Sequence, residues 1–249
     1  MNVLFVLAAL LLGLMLAVGG ETGLFSFLGM FLNVIVFLGM CYFLYQHANV
    51  YLTAFISCVL IACINFFFVN GWNQRTQSAF IGTLIVMVVV CLIVPYIVNK
   101  AYIQGFAAEE TEELGHFTML IDVNFSQLSL AVILVGMMGA VTDSALAVAS
   151  AMTEVKEHHP TISQNELLSS GLRMGRDILG TTINTLFFAF FGSQLALIIW
   201  FKDLHYSFGQ LLNSQLLVAE LLTMLLTGMF AVLILPFTAW ICAKRYTID

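Results

Sequence analysis

The sequence AFIGTLIVMVVVCLIVPYIVN, residues 79–99, contains no charged side chain. Each residue of an α-helix adds about 1.5 Å, so a helix of this length crosses the roughly 30 Å hydrocarbon core of a bilayer. Such a run is longer and more apolar than the buried helices of water-soluble proteins. It therefore predicts a transmembrane helix.

Similar apolar runs occur on both sides of residues 79–99. Together we predict seven spans, at 3–19, 24–45, 50–69, 79–99, 127–152, 178–201 and 215–243. Hydrophobic residues make up 61% of the 249 residues and charged residues 9%, whereas soluble domains carry about 25% charged residues. This composition excludes a soluble globular protein. It predicts an all-α polytopic transmembrane bundle of about seven helices, forming a single domain over residues 1–249.

Basic residues predict the orientation, because cytoplasmic loops are enriched in Lys and Arg. The first span has no basic residue before it and no suitable cleavage site after it, so we interpret it as a retained helix. With the N-terminus outside and the C-terminus in the cytoplasm, most basic residues become cytoplasmic: Arg75, Lys156, Arg173, Arg176, Lys244 and Arg245. We therefore expect a multi-pass protein of the cell membrane, with a cytoplasmic loop at 153–177 and an external acidic loop at 100–126.

Three shorter features predict local structure. Pro160 should end any helix that arrives from the fifth span. Ser163 and Glu166 have capping-box spacing, so a new helix should begin there and continue into span six. The pair Gly82-Thr83 in the fourth span is typical of a close contact between helices.

One carboxyl group, that of Asp143, lies deep in the fifth span. A charge at that depth costs about 2.5–3.5 kcal/mol, so such residues usually face protein or water. At 100° per residue, one face of this helix carries small and polar residues, namely Gly136, Gly139, Asp143, Ala147 and Ser150. The opposite face is apolar, with Leu130, Leu134, Val141, Val148 and Met152. We expect the small face to pack closely against another helix.

The sixth span has a polar face that could meet Asp143. This face comprises Asp177, Thr181, Asn184, Thr185, Phe188 and Gly192, while Leu179, Ile183, Leu186 and Phe190 point away. Arg176 and Asp177 lie at its cytoplasmic end. We therefore predict a polar track for proton or ion coupling formed by Asp143, Arg176, Asp177, Thr181, Asn184 and Thr185. Gly136, Gly139, Ala147 and Ser150 are the predicted helix-packing residues.

Simpler interpretations of these residues remain open. Asp143 can be a structural hydrogen-bonding group or a substrate-binding group, and Arg176-Asp177 can be a membrane anchor beside a helix-start acid. Another polar cluster, at the inner end of span three and in the following loop, comprises Asn65, Asn70, Trp72, Asn73, Arg75 and Thr76. We interpret Trp72 as an interfacial anchor and assign no function to this cluster.

The sequence predicts neither a cofactor nor catalysis. The five cysteines and the pair His158-His159 lack metal-ligand spacing. There is no nucleophile elbow, zinc-protease motif or phosphate-binding loop, so we do not expect an enzyme. The basic residues are scattered, so we expect no nucleic-acid partner.

Several of these residues carry a family likeness. The sequence Gly139-Ala-Val-Thr-Asp143-Ser-Ala-Leu-Ala-Val-Ala-Ser150-Ala, then Glu166-Leu, then Gly175-Arg176-Asp177-Ile-Leu-Gly180-Thr181-Thr-Ile-Asn184-Thr185 resembles the YibE/F family of bacterial membrane proteins. Asn73-Gln-Arg75-Thr76 and Gly82-Thr83 fit the same pattern, so the likeness reaches from about residue 60 to 195. Without a large extracytoplasmic domain, the chain looks like the YibF type. The resemblance implies a YibE-like companion and names no substrate.

A fainter likeness concerns the membrane core of SecD and SecF, which belong to the proton-driven resistance-nodulation-division superfamily. It rests on Gly139 and Asp143 in one helix, followed by Arg176 and an Asn- and Thr-rich helix. The likeness implies that Asp143 is a proton-responsive carboxylate and that spans five and six line a relay. The chain differs in lacking a large external domain after its first span, and its N-terminal half does not match.

Two functions follow as hypotheses. The first is a subunit of a proton-coupled transporter or export-assisting complex that acts with a YibE-like partner. The second is a non-transporting scaffold that stabilises a partner membrane protein. In both cases we expect contacts with membrane lipids and with a YibE-like protein, a homo-oligomer, or both.

Overall fold

The computed structural model describes residues 2–101, 103 and 125–246, and all regular structure in these residues is helical. The helices are α1 (Asn2–Tyr45), α2 (Val50–Cys63), α3 (Gln74–Ala101), α4 (Phe125–His158), α5 (Gln164–Asp203), α6 (Phe208–Asn213) and α7 (Gln215–Tyr246). A π-helical segment, Ile64–Val69, continues α2. The predicted all-α bundle is confirmed. Most of the predicted external acidic loop at 100–126 lies outside the described residues.

Six helices in the described part of the chain are long and apolar enough to cross a membrane. Predicted spans 3–19 and 24–45 both fall within α1, which is broken at Gly20, where φ is 55° and ψ is −132°. Beyond this break, a Cβ at Gly23 would collide with the carbonyl oxygen of Met15. The chain therefore turns sharply at a position that needs glycine. Each of the other five predicted spans lies within one helix or within α2 and its π-helical continuation, so the chain is a multi-pass membrane protein.

The core lies where α3, α4, α5 and α7 pack together. The face of α4 that was predicted to be apolar is buried: Leu130, Leu134, Val141, Val148 and Met152 are each at most 5% exposed. Helices α3 and α7 approach closely at Gly82, where an added Cβ would lie 2.9 Å from Thr238 Oγ1. The predicted contact at Gly82 is therefore confirmed.

The connection between α4 and α5 has the predicted helix ends. Helix α4 ends at His158, before Pro160, and α5 begins directly after Ser163. The Glu166 backbone N–H donates to Ser163 Oγ at 3.4 Å, and the Ser163 N–H donates to Glu166 Oε2 at 3.2 Å. These two bonds form a capping box, which satisfies backbone groups that the first turn leaves without partners.

Helix α5 packs against the bundle through one face only. Its apolar residues Ile183 and Leu186 contact α7 at Gly228, where an added Cβ would lie 3.1 Å from Ile183 Cδ1 and 4.0 Å from Leu186 Cδ1. Of the 18 consecutive residues of α5 that are most apolar, only 6% are buried, whereas in the corresponding stretch of α4 56% are buried. The opposite face of α5 is therefore the outside of the described bundle.

Candidate intramembrane polar site

Asp143 opens onto a small cavity between α4 and the π-helical segment. The cavity has a volume of about 150 Å³ and is lined by Asn65, Phe66, Val69, Asn70, Thr142, Asp143 and Leu146. Its polar groups are thus one carboxyl group, one hydroxyl group and two side-chain amides. All of them lie in helices that are apolar enough to span the membrane, except for Asn70, which directly follows the π-helical segment.

The π-helical segment brings the two amides to this cavity. In a π-helix the backbone bonds join residues five positions apart, which widens the turn and is frequent at functional sites. Asn65 and Asn70 have this five-residue spacing, and Asn70 Nδ2 donates to the Asn65 backbone oxygen at 2.8 Å. This bond fixes the Asn70 side chain and leaves its Oδ1 as an available acceptor.

A third amide, that of Asn33 in α1, extends the polar group. Asn33 Nδ2 donates to Asn65 Oδ1 at 2.9 Å, so Asn65 keeps its Nδ2 as a donor. Asn33 Oδ1 is buried and has no hydrogen-bond partner. A buried acceptor that neither protein nor water reaches costs about 1–3 kcal/mol.

Asp143 itself makes no hydrogen bond or ion pair with any residue in the described part of the chain. The hydroxyl of the neighbouring Thr142 does not donate to Asp143, because it donates to the Met138 and Gly139 backbone oxygens, at 2.8 and 2.9 Å. The two amides and the cavity itself are therefore the polar surroundings of the carboxyl group.

A larger groove of about 600 Å³ adjoins the cavity and shares Asn65 and Val69 with it. Its lining comes from α1, α2, the π-helical segment and α4, and consists of Ser26, Gly29, Met30, Asn33, Val34, Phe37, Ile61, Asn65, Val69, Val135, Gly136 and Gly139. An added Cβ at Gly136 or Gly139 would meet nothing within 4 Å. Within the described residues, the close helix contact expected at these two glycines is absent, because they form a wall of this open groove. Ala147 and Ser150, farther along the same face, are half-buried.

The expected meeting of Asp143 with the polar face of α5 is also wrong. Asp177, Thr181, Asn184 and Thr185 are exposed, as is Arg176, and none of them lines the cavity. The reason is the rotation of α5, whose apolar face takes the contact with α7. Asp143 instead shares a cavity with Asn65 of the π-helical segment and with Asn70, which directly follows that segment.

The residue that sequence reasoning missed is Asn33. An amide within the apolar span 24–45 was the available signal, since polar groups in lipid need partners. Asn65 and Asn70 were recognised as polar but not connected to Asp143. Their five-residue spacing matches a π-helical turn, but periodicity cannot distinguish it from an α-helical end.

The described residues contain no group of three or more His, Cys, Asp or Glu side chains that could hold a metal ion. Asp143 is accompanied in its cavity by amides and a hydroxyl group, and by no other carboxylate. The arrangement can bind or release a proton and can exchange hydrogen bonds.

Comparison with known proteins gives one match. A family model described as YibE/F-like protein matches residues 7–248. No curated protein and no solved structure matches the chain, and the likeness to SecD and SecF stays a prediction from the sequence. The family match covers Asn33, Asn65 and Asp143 together.

Proposed function

Because the chain belongs to the YibE/F-like protein family, we propose that it is a subunit of a proton-coupled transporter or export-assisting complex in which Asp143 binds the proton. One observation carries this proposal. A carboxyl group in a transmembrane helix opens onto a cavity lined by two amides at a π-helical segment. Ionisable residues at such depth are costly, and they commonly mark ion or proton pathways.

The two amides offer different partners to the two forms of Asp143. An ionised carboxylate only accepts hydrogen bonds, and Asn65 Nδ2 is a donor that the bond from Asn33 leaves available. A protonated carboxyl group also donates, and Asn70 Oδ1 is an available acceptor. Proton binding therefore changes which of the two amides, Asn65 or Asn70, is the suitable partner for Asp143.

The cavity supports access for protons. A water molecule occupies about 30 Å³ of liquid, so a cavity of about 150 Å³ holds a few water molecules. The adjoining groove extends past the bare backbone of Gly136 and Gly139. This continuity supports a hydrated route to Asp143 along α4.

The second candidate function is a scaffold without transport. It is favoured by the exposed polar face of α5, which is suited to contact with another membrane protein. For either function we propose a YibE-like partner, which the resemblance of the sequence implies. The two functions differ in whether they need an ionisable group at position 143.

Asp143→Asn tests the proposal. The asparagine has the same shape but cannot ionise, so proton movement should fall to background while the protein still accumulates in the membrane. Proton movement is measured with a pH-sensitive dye in membrane vesicles that contain the chain with its native partners. Glu220→Gln is the matched control, because Glu220 is exposed like Asp143 but belongs to α7 and does not line the cavity.

Full proton movement in Asp143→Asn, or equal loss in Asp143→Asn and Glu220→Gln, would contradict the coupling role. If neither variant changes function while deletion of a helix abolishes partner binding, the scaffold function is favoured.

A further inference from the structure

The outward side of α5 combines charge, amide and aromatic residues. We call Arg173, Asp177, Thr181, Asn184 and Phe188 the outer face of α5. At 100° per residue these positions lie on one side of the helix, within about 60° of Asn184. All five side chains are exposed, and Phe188 is 72% exposed.

Asn184 is the group on this face that requires a partner. The hydroxyls of Thr181 and Thr185 are satisfied within the helix, donating to the Ile178 and Thr181 backbone oxygens at 2.8 and 2.9 Å. The Asn184 amide makes no hydrogen bond within the described part of the chain. It lies inside the predicted span 178–201, where lipid offers neither donors nor acceptors. An amide in this setting typically binds a neighbouring helix.

We propose that the outer face of α5 packs against the same face of a second copy of this chain, about a twofold axis along the membrane normal. In a twofold contact each residue meets its own symmetry mate or exchanges partners with it. An amide both donates and accepts, so Asn184 can form reciprocal bonds with Asn184 of the second copy.

The charges on this face are self-complementary. Arg173 and Asp177 are one turn apart, are both exposed and carry opposite charges. Across a twofold axis, Arg173 of each copy reaches Asp177 of the other, which gives two equal ion pairs. Gly180 adds space for close approach, since an added Cβ there would meet nothing within 4 Å.

Photo-crosslinking in native membranes tests this contact. A benzophenone amino acid replaces Phe188 in the full chain, and a matched variant carries it at Tyr96 of α3, which is 67% exposed. The expected product from position 188 is a covalent dimer of twice the 27.5 kDa chain mass, with little dimer from position 96. Adducts from position 188 that contain only lipid or only a different protein would overturn the inference.

Two sets of variants test the named groups. Asn184→Leu should lower the dimer yield about three- to ten-fold, as expected for lost interhelical hydrogen bonds. Ser193→Ala is its control, because the Ser193 hydroxyl donates to the Phe190 backbone oxygen of its own helix at 3.0 Å. An unchanged yield in Asn184→Leu would overturn the role of the amide.

Asp177→Arg should also lower the yield, since it places only positive charges at the contact. The double exchange Arg173→Asp with Asp177→Arg should restore it. Failure of the double exchange to restore the dimer would overturn the reciprocal ion pairs. None of these variants changes the cavity at Asp143, so the contact and the proposed proton coupling can fail independently.

Discussion

At the scale of single residues, the centre of this molecule is a set of amides around one carboxyl group. Asn33 binds Asn65 at 2.9 Å, and Asn65 lines the cavity onto which Asp143 opens. Asn33 therefore connects α1 to the site, and Asn65 connects the π-helical segment to it. Lipid offers these groups no hydrogen-bond partners.

The amide pair gives a first prediction. Asn65→Leu removes the acceptor of Asn33, so it should destabilise the protein by about 1 kcal/mol, in the range found for side-chain hydrogen bonds between membrane helices. Asn33→Leu should cost less, because it also removes the unpartnered Asn33 Oδ1. Unfolding free energies in detergent micelles, measured for both single variants and the double variant, give the coupling between the residues.

In the double-mutant cycle, the two losses should be less than additive by about 0.5 kcal/mol or more. Strict additivity would show that the residues do not interact, and the path from α1 to Asp143 would then be interrupted.

At the scale of elements, the sequence predicted each helix better than it predicted their contacts. The apolar face of α4 and the capping box of α5 follow from spacing alone, and both are present. The pairing of α4 with α5 through their polar faces was wrong. Periodicity gives the direction of each face relative to its own helix axis, but the rotation of α5 depends on how Ile183 and Leu186 fit against Gly228.

The π-helical segment also could not be predicted from the sequence. A π-helix differs from an α-helix in how the backbone bonds are shifted, and residues 64–69, which are apolar except for Asn65, are compatible with both. The site therefore depends on a local bond pattern that side-chain hydrophobicity does not specify. The position of Asp143 within a span could be predicted from the sequence, but the residues around it could not.

The contact between α3 and α7 gives an element-scale prediction. Gly82→Leu should destabilise the protein by about 1–3 kcal/mol, because the added side chain would overlap Thr238, whose Cα is 3.5 Å from an ideal Cβ at this position. Gly13→Leu is the control, since an added Cβ at Gly13 meets nothing within 4 Å. Thermal unfolding of the purified variants measures both effects. Equal melting temperatures for the two variants would contradict the close approach of α3 and α7.

At the scale of the whole molecule, the fold is a helical membrane bundle of the YibE/F-like family. Its centre is buried, while α1 and the outer face of α5 are left exposed. Exposed apolar residues in α1 are suited to lipid, whereas the exposed charges and amide of α5 are suited to protein. We therefore expect the exposed surface of α1 to contact lipid and the outer face of α5 to contact protein.

The orientation is a prediction at this scale. The break at Gly20 allows residues 3–19 and 24–45 to cross separately, which with the other five spans would place the termini on opposite sides. We expect a cysteine introduced at Asn2 to react with a membrane-impermeant maleimide added outside the cell. A green fluorescent protein fused to the C-terminus should fluoresce in the cytoplasm. Labelling of both termini from the same side would contradict this topology.

We propose that Asp143 is a proton-binding carboxyl group held within the membrane beside the π-helical segment. Labelling with a hydrophobic carbodiimide tests this proposal, because such reagents modify protonated carboxyl groups in apolar surroundings. The protein in native membranes is treated over a range of pH, and modified peptides are quantified by mass spectrometry, with Glu220 as the internal reference. We expect Asp143 to be labelled and its labelling to decrease as the pH is raised. No labelling of Asp143 at any pH, or labelling that does not vary with pH, would contradict the proposal.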